Sequence, residues 1–346
     1  MSQSSMTTAP TAALMQLING FMASRAVYVA AELAIPDRLG EGAKAADTLA
    51  GETQTDPRSL RRLLRALASL GVVEEMRGEK FALTPLGAAL RSDVPDTLRN
   101  FALMSGSDRV WRMWGALSHS VRTGQSAMPH LYGVDSFDYF ASHPQEARVF
   151  NQAMEDVTRK VAHDVIATYD FARFRTIVDV GGGNGALLAS ILAATPALKG
   201  ILLDLPSGNA EALDVIAAAG LAQRCTVVAG DFFRSVPEGA DAYILKSVIH
   251  DWNDEKAIAI LEVCRRAMAT QSTLFLIEHV MPERIELSPR AQRMALRDLH
   301  MLVGPGGRER SEAEFDQLLA SAGFTRLRTS SLGAEGSFSL IEASPI

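Results

Sequence analysis

Three side chains suited to acid–base chemistry lie where a folded sheet would expose them at its edge. His250 follows a short apolar segment at residues 242–245, Glu278 ends a later one, and Glu309 lies in the glycine turn 306–310. Imidazole, with a reference pKa of about 6.5, is mostly neutral at pH 7 and can accept a proton. A neighbouring carboxylate can fix its tautomer and stabilise the imidazolium. We therefore predict a general base flanked by two carboxylates, although a lone histidine also has a purely structural interpretation.

A glycine-rich segment precedes these residues, in the sequence VDVGGGNG at 178–185. Gly181, Gly182 and Gly183 lie between a predicted strand and a predicted helix. Glycine there allows a tight turn and the close approach of a ligand to the backbone. With Ala186, the glycines also satisfy the loose dinucleotide fingerprint G-x-G-x-x-G/A. The segment predicts a nucleotide-containing cofactor.

Acidic and aromatic side chains follow the next two predicted strands. Asp204 could accept hydrogen bonds from both ribose hydroxyls of an adenosine, a geometry that serves NAD and S-adenosylmethionine equally. Asp231 could accept from the adenine amino group, and Phe232 could lie on the adenine ring. The alternative for Asp204 is a cap on the turn before Pro206. Together these residues predict an adenosine site and leave two cofactors open.

The second half of the chain alternates short apolar segments with helical ones. This alternation is typical of an α/β doubly wound parallel sheet, whose ligands lie at the carboxyl ends of the strands. The tail adds two strands, one of them expected to be antiparallel. The predicted strands are 176–180, 200–204, 226–229, 242–245, 273–278, 325–329 and 338–342, with helices at 186–194 and 255–268.

Residues 45–92 predict a winged helix. Asp56 followed by Pro57 is typical of a helix N-terminus. The predicted elements are helices at 45–50 and 57–69, with Leu60, Leu63, Leu64 and Leu67 inward, and a hairpin of 72–76 and 80–83. Before this unit, residues 11–34 form a helix that is apolar over more than one face. After it, residues 96–172 are mostly helical and rich in aromatic and Met residues.

A winged helix raises the alternative of a DNA-binding regulator. Arg58, Arg61, Arg62 and Arg65 share one face of the 57–69 helix, as phosphate contacts would require. The same arginines could instead be solvated or paired with acidic residues of the chain. The net charge of -6 and pI of about 5.7 weaken the DNA-binding interpretation.

Composition limits the remaining classes. The 346 residues suggest about two domains, and 47% hydrophobic with 21% charged residues indicates a packed protein rather than a disordered one. Cys225 and Cys264 form neither a disulfide framework nor a zinc pattern, and we expect no metal. The first 24 residues contain no Lys or Arg, and polar residues interrupt the early apolar stretch 12–36. We therefore expect a cytoplasmic protein without a signal peptide or membrane span.

In combination, five motifs carry a family resemblance: DVGGGNG, LLDLP, GDFF, LKSVIHDWNDE and GGRERSEAEF, in this order. From about residue 11 to its end, the chain resembles the small-molecule O-methyltransferases of the plant caffeic acid type, with bacterial antibiotic and pigment methyltransferases and animal acetylserotonin methyltransferase. The resemblance implies a class I methyltransferase Rossmann-like sheet behind a winged-helix dimerisation domain. It implies a flexible segment at 1–10, a dimerisation domain at 11–100, a helical acceptor-lining segment at 101–172 and a catalytic domain at 173–346.

The resemblance also implies roles for individual residues. The cofactor is S-adenosylmethionine, converted to S-adenosylhomocysteine, and its implied ligands are Asp179, Gly181, Gly182, Gly183, Asp204, Leu205, Asp231, Phe232 and Lys246. His250 is the implied base, flanked by Glu278 and Glu309. The implied acceptor-pocket residues are Phe150, Asn151, Met154, Leu296, Leu299 and His300.

The implied partners are a second copy of the chain and a small hydroxylated, aromatic acceptor, with neither nucleic acid nor membrane. Relatives that methylate nitrogen or carbon, or that hydroxylate, remain alternatives on the same fold. A nicotinamide dehydrogenase remains an alternative of another class, weakened by the helical region before the first strand and by the HDW segment.

Overall fold

A computed structural model describes residues 9–209, 211–333 and 338–346, which form two compact units divided between Trp111 and Arg112. The predicted flexible segment 1–10 lies mostly outside the described residues. No helix in the described ranges is long and apolar enough to cross a membrane.

The first unit is mostly helical. Its elements are α1 (Pro10–Glu32), α2 (Ile35–Leu39), β1 (Lys44–Ala45), α3 (Ala46–Thr53), α4 (Pro57–Ser69), β2 (Val73–Met76), β3 (Lys80–Leu83), α5 (Pro85–Ala88), α6 (Arg99–Ser105) and the start of α7 (Asp108–Gly115). The strands form an antiparallel sheet in the order β1-β3-β2. This arrangement confirms the predicted 57–69 helix and the hairpin beside it.

Helix α4 begins as its sequence predicts. The Asp56 carboxylate accepts a hydrogen bond from the Ser59 backbone N–H at 2.8 Å, which satisfies one of the free donors of the first turn. Leu60, Leu64 and Leu67 are buried in the core of the unit, whereas Leu63 is only half-buried.

Two of the four basic residues of α4 form ion pairs within the hairpin region. Arg61 lies 2.8 Å from Glu79, and Arg65 lies 3.4 Å from Glu75. These ion pairs neutralise part of the positive charge on α4 that binding to a phosphate backbone would require. They favour the alternative in which the basic face is paired inside the protein.

Helix α1 exposes an apolar surface over its N-terminal half. Leu17 is 65% and Phe21 53% exposed, and Leu14, Met15, Ile18 and Met22 are similarly exposed. We call these six residues the α1 apolar surface. Near the other end of the helix Ala30 and Ala31 are fully buried. Contiguous exposed apolar surface of this kind commonly marks an interaction site.

The second unit places helices on both faces of a sheet. Its helices are α8 (Leu117–Thr123), α9 (Ala127–Tyr132), α10 (Ser136–Ser142), α11 (Pro144–Thr168), α12 (Ala186–Ala194), α13 (Ala212–Ala218), α14 (Asp254–Ala267), α15 (Pro289–Val303) and α16 (Glu312–Ser321), with 3-10 turns at Phe171–Arg173 and Ile249–Asp251. Its strands are β4 (Thr176–Val180), β5 (Lys199–Asp204), β6 (Cys225–Ala229), β7 (Ala242–Lys246), β8 (Thr273–Glu278), β9 (Val280–Met281), β10 (Arg310–Ser311), β11 (Phe324–Leu332) and β12 (Phe338–Pro345).

Seven of these strands form one sheet in the order β11-β12-β8-β7-β4-β5-β6. The five strands from β8 to β6 are parallel, and β12 runs antiparallel to both β8 and β11. The predicted doubly wound sheet and its antiparallel tail strand are therefore confirmed. The strand order reverses between β4 and β7, the position at which such sheets open a crevice for a ligand.

Burial on both faces explains why the strands are apolar throughout rather than alternating. All six residues of β8 are buried, and four of the five in β4 are. One core cluster packs Ile260 and Phe315 against one face, and a second packs Leu188 against the other. This two-sided core fixes the carboxyl ends of β4, β5, β7 and β8 along one edge.

Candidate active site

The glycine segment forms a tight loop after β4. Gly181 and Gly183 have φ angles of 71° and 58°, which side-chain-bearing residues rarely adopt. A Cβ on Gly182 would lie 2.3 Å from the Leu202 side chain and 2.6 Å from the Asp179 carboxylate. The loop therefore needs glycine, because the chain turns directly over buried side chains.

Two aspartates lie beneath this loop, Asp179 buried and Asp204 half-buried. The carboxylate of Asp204 accepts hydrogen bonds from the backbone N–H groups of Gly183 and Leu205, both at 2.7 Å. Asp179 is almost fully buried, and within the described residues neither of its carboxylate oxygens has a hydrogen-bond partner. Burial raises the pKa of Asp179 to about 7, and nearby Asp204 acts in the same direction. Burial also raises the pKa of Asp204.

Aromatic rings lie beside the same loop. The Phe232 ring comes within 3.4 Å of where a Gly181 Cβ would be. Its centroid lies 5.1 Å from that of Phe233 and 6.3 Å from that of Trp252. The Asp231 carboxylate accepts from the Phe233 N–H at 2.9 Å. The structure thus brings Phe232 to the predicted cofactor loop, and Asp231 is adjacent in the chain.

His250 lies in the 3-10 turn after β7 and is 4% exposed. Its Nδ1 is 2.8 Å from Glu278 Oε2 and 3.6 Å from Glu309 Oε1. Its Nε2 is 3.5 Å from Asp251 Oδ1. The 2.8 Å separation is a close contact between ring and carboxylate, and it becomes an ion pair when the imidazole is protonated. All three residues predicted from the sequence therefore meet in one buried group.

Backbone donors and a cation fix the two glutamates. Glu278 Oε1 accepts from the N–H groups of Val248 and Ile249, at 3.0 and 2.8 Å. Arg297 donates to Glu309 Oε1 at 2.7 Å. Both carboxylates are thereby held beside the imidazole.

Charges in this group shift one another's protonation. Burial by itself lowers the pKa of His250, but the carboxylates of Glu278, Asp251 and Glu309 outweigh it and raise this pKa to about 9. Burial would raise the pKa of Glu278, yet His250 lowers it overall. Burial raises the pKa of Asp251 to about 6 and also raises that of Glu309. Burial lowers the pKa of Lys246, at the end of β7, to about 8.

The glycine turn before β10 packs against the backbone of His250. The Arg308 N–H donates to the His250 carbonyl at 2.9 Å, and the buried Arg310 donates to the carbonyls of Ile249 and Trp252. A Cβ on Gly307 would lie 2.0 Å from the His250 carbonyl oxygen. The turn thus packs directly on the backbone that carries the imidazole.

Replacing Gly307 by Ala should therefore displace this turn. We expect Gly307→Ala to lower the free energy of unfolding by about 1–3 kcal/mol, as overpacking does, and to reduce activity. Denaturant unfolding followed by circular dichroism measures the change. Gly51→Ala, whose Cβ would meet nothing within 4 Å in α3, is the control and should not destabilise the chain. Equal stability of the two variants would contradict the close packing.

The atoms of His250, Glu278 and Glu309 also lie within 4.8 Å of one another, a spacing at which a cation could be held. Here Nδ1 faces Glu278, and Arg297 already supplies positive charge to Glu309. The arrangement of these donors is explained without an ion, and we assign none to it.

The predicted acceptor residues lie on two helices. Phe150, Asn151 and Met154 are half-buried on α11, where the Phe150 ring lies 4.8 Å from that of Phe140. On α15, His300 Nδ1 accepts from the Trp114 indole N–H at 3.1 Å. Leu299 is half-buried, but Leu296 is 47% exposed.

Several residues of the site were not predicted from the sequence. Asp251 and Arg297 contact the His250 group directly. The Asn184 side-chain amide donates to Glu155 at 2.8 Å, which links the glycine loop to α11. Arg297 lies one helical turn before His300 on α15, so helical spacing could have suggested that both reach the same edge. Nothing local to the sequence indicates the contact between Asn184 and Glu155.

Comparison with known proteins supplies the family. A model of the O-methyltransferase dimerisation domain matches residues 15–93, and a model of the O-methyltransferase domain matches residues 114–325. The chain belongs to the O-methyltransferase family. Membership makes it an S-adenosylmethionine-dependent enzyme, as its motifs predicted, and sets aside the dehydrogenase alternative. The match over residues 15–93 assigns a dimerisation domain to the winged-helix region, for which DNA binding was the alternative.

Relatives of this O-methyltransferase align with it over nearly their whole length. A phenazine O-methyltransferase of Lysobacter antibioticus is 41% identical over 333 residues, 96% of each chain. The structure of a mitomycin 7-O-methyltransferase superposes with a TM-score of 0.92 at 36% identity, covering 98% of both chains. Human N-acetylserotonin methyltransferase, in complex with S-adenosylmethionine, gives a TM-score of 0.88 at 28% identity and covers 99% of both chains.

Proposed function

We propose that the chain transfers the methyl group of S-adenosylmethionine to a hydroxyl of a small aromatic acceptor, with His250 taking up the hydroxyl proton. The observation that carries the proposal is the buried group of His250, Glu278 and Glu309 at the edge of the sheet. The acceptor class is supported by relatives whose names specify a phenazine, mitomycin and N-acetylserotonin.

The residues beneath the glycine loop fit the cofactor. Gly182 packs on Leu202 and Asp179, whereas a Cβ on Gly183 would meet nothing within 4 Å, so the backbone at Gly183 is open to a ligand. The Asp204 carboxylate, which accepts one N–H on each oxygen, keeps lone pairs for ribose hydroxyls. We propose that Asp179, Gly181, Gly183, Leu205, Asp231, Phe232 and Lys246 complete this site.

The reaction requires alignment and removal of a proton. S-adenosylmethionine supplies a methyl group on a sulfonium leaving group. A neutral hydroxyl is a poor nucleophile, and a base that takes its proton as it attacks activates it. In the proposed reaction His250 holds this proton on Nε2, while Glu278 and Glu309 stabilise the charged ring through Nδ1.

We propose that α11 and α15 hold the acceptor. A mostly apolar wall would come from Phe150, Asn151 and Met154 on α11. The opposite wall would come from Leu299 and His300 on α15, with the His300 imidazole as its polar group. Because Leu296 is substantially exposed, we give it a lesser role. Helices that align the acceptor supply much of the rate, since in-line displacement depends on orientation.

Methylation of nitrogen or carbon remains the alternative on this fold. A hydroxyl gains most from a buried base, which favours oxygen as the acceptor atom. A screen of phenols, flavonoids, hydroxyquinones and hydroxyindoles with S-adenosylmethionine, read by mass spectrometry, tests the proposal. Products that gain one methyl group support it. The screen includes anilines that match the phenols in shape, and methylation confined to these amines would contradict the proposal.

We also propose that the α1 apolar surface forms a homodimer interface. An obligate interface of this kind buries more than about 2,000 Å² between identical patches. Within this assembly we keep the division into a dimerisation domain (11–100), an acceptor-lining segment (101–172) and a catalytic domain (173–346) as a proposal.

Light scattering at micromolar concentration should therefore give the mass of two chains. Phe21→Glu should weaken the dimer, because it places a charge in the centre of the apolar surface. The matched control is Val121→Glu on α8, because Val121 is as exposed as Leu17. This variant should leave the mass unchanged. A wild-type monomer would contradict the proposal.

A further inference from the structure

Asn184, in the glycine loop, joins three elements of the second unit. Its side-chain amide donates to Glu155 Oε2 on α11 at 2.8 Å. Its side-chain carbonyl accepts from the Ala186 backbone N–H, at the start of α12, at 3.2 Å. Next to it in the chain, the Gly183 N–H donates to Asp204, which belongs to the proposed cofactor site. A ligand that fixes this loop therefore also fixes the donor of the hydrogen bond to Glu155.

Glu155 is held in turn by its own helix. Arg159, one turn later on α11, donates to Glu155 Oε1, so each carboxylate oxygen has its own partner. The Glu155 side chain is 27% exposed, so it is partly shielded from water. A hydrogen bond to an ionised partner is about twice as strong as one between neutral groups. Asn151, one turn before Glu155 on the same face of α11, belongs to the proposed acceptor wall.

The two halves of α11 are held differently. In its C-terminal half, Val161 and Val165 are buried in the core cluster that also contains Leu188 of α12. In its N-terminal half, residues 144–155, only Ala153 is buried. A segment with few buried apolar contacts has low local stability. The half of the helix that carries the proposed acceptor residues therefore depends on polar contacts, among them the hydrogen bond from the glycine loop.

We propose that Asn184 and Glu155 are positioning residues that couple the cofactor site to the acceptor site. A cofactor on the glycine loop orders the N-terminal half of α11 through their hydrogen bond, and the ordered helix forms the acceptor wall. This inference rests on the proposed methyl transfer, for which α11 supplies that wall. Because coupling between two sites is reciprocal, the acceptor binds more tightly to the loaded chain and in turn tightens binding of the cofactor.

Exchanging donor and acceptor isolates this hydrogen bond. Asn184→Asp places two carboxylates in contact and removes the donor, but aspartate still offers an oxygen to the Ala186 N–H. Adding Glu155→Gln restores the hydrogen bond in the reverse direction, because the glutamine amide then donates to the aspartate. Two unrelated structural losses would add instead of cancelling. Tyr169→Phe is the control at the other end of α11, where the Tyr169 hydroxyl donates to Glu342 at 2.9 Å.

Amide hydrogen exchange, read by mass spectrometry on peptides within residues 144–155, tests the coupling without an acceptor. In the wild-type chain, saturating S-adenosylhomocysteine should slow exchange there by about tenfold, the effect of one hydrogen bond to a charged group. This protection should be lost in Asn184→Asp, return in the double variant and persist in Tyr169→Phe. Glu155→Ala, which leaves the loop sequence intact, should also lose it. Isothermal titration calorimetry establishes the concentration that saturates each variant.

The inference would be overturned by full protection of α11 in Asn184→Asp and Glu155→Ala, by no recovery in the double variant, or by no slowing in the wild type. Any of these results would leave methyl transfer itself untouched, since the measurement needs neither acceptor nor turnover. Failure of the acceptor screen would likewise not alter the exchange rates. With an acceptor from that screen and saturating S-adenosylmethionine, the acceptor KM should rise about tenfold in Asn184→Asp and fall back in the double variant. An unchanged KM would also overturn the inference.

Discussion

His250→Gln should lose about 10²–10⁴-fold in kcat, the usual contribution of a positioned acid or base, while its affinity for S-adenosylmethionine stays near that of the wild type. The His250 ring contacts Glu278 and Glu309, whereas the proposed cofactor site is built on the carboxylates beneath the glycine loop. Loss of the ring therefore should not disturb the cofactor contacts. The loss should be smaller for acceptors with acidic hydroxyls, because these ionise without help. The rate is measured per folded active site, with sites counted by cofactor titration.

A nearby buried histidine provides the control. His279 is 7% exposed, and its ring packs on Phe338 with centroids 3.8 Å apart. His279→Gln should retain most of the turnover per folded site. Glu278→Gln should reduce kcat less than His250→Gln, because Glu278 only orients and stabilises the ring. Near-normal turnover in His250→Gln would remove the base from the mechanism.

Asp204→Ala should weaken binding of S-adenosylmethionine by about 1.5–3 kcal/mol, the range for hydrogen bonds to a charged group. This corresponds to a loss of about 10–150-fold in affinity. The substitution also removes the acceptor of the Gly183 N–H, so the glycine loop loses this hydrogen bond. Isothermal titration calorimetry measures the change, with circular dichroism to confirm the fold.

Asp241 offers a matched control at the opposite end of β4. Its carboxylate accepts from the backbone N–H groups of Arg175 and Thr176 at 2.7 and 3.0 Å, so Asp241→Ala also loses two backbone hydrogen bonds. We expect this variant to lose stability but to keep its affinity for the cofactor. If both variants bound S-adenosylmethionine equally well, Asp204 would not belong to the site.

Structural elements that depend on residues close together in the chain could be predicted from the sequence. The N-cap at Asp56 depends on residues within one helical turn, and it forms as expected. The apolar segments of the second unit predicted β4 and β8 with their bounds, because strands buried on both faces need apolar residues throughout. The carboxyl ends of β7 and β8 then placed His250 and Glu278 at one edge of the sheet.

Contacts whose cause is tertiary packing could not be predicted. Arg297 reaches Glu309 because α15 packs beside the turn before β10. Helical spacing places Arg297 on the face of His300, but it does not indicate Glu309 as the partner. The contact of Asp251 with the second ring nitrogen depends on the 3-10 turn after β7. Leu63 fits the helical pattern of α4 yet is only half-buried, because the spacing of apolar residues does not show where the buried face ends. Leu296, which the resemblance placed at the acceptor pocket, is 47% exposed.

The position of a labelled methyl group tests the central claim most directly. The chain is incubated with S-adenosylmethionine labelled with ¹³C in its methyl group and with an acceptor that carries both a hydroxyl and an amino group. NMR of the isolated product then shows which atom bears the label. We predict one labelled methyl group on the hydroxyl oxygen, with formation sharply reduced in His250→Gln. Label on nitrogen or carbon, formed equally well by that variant, would contradict O-methylation with His250 as the base.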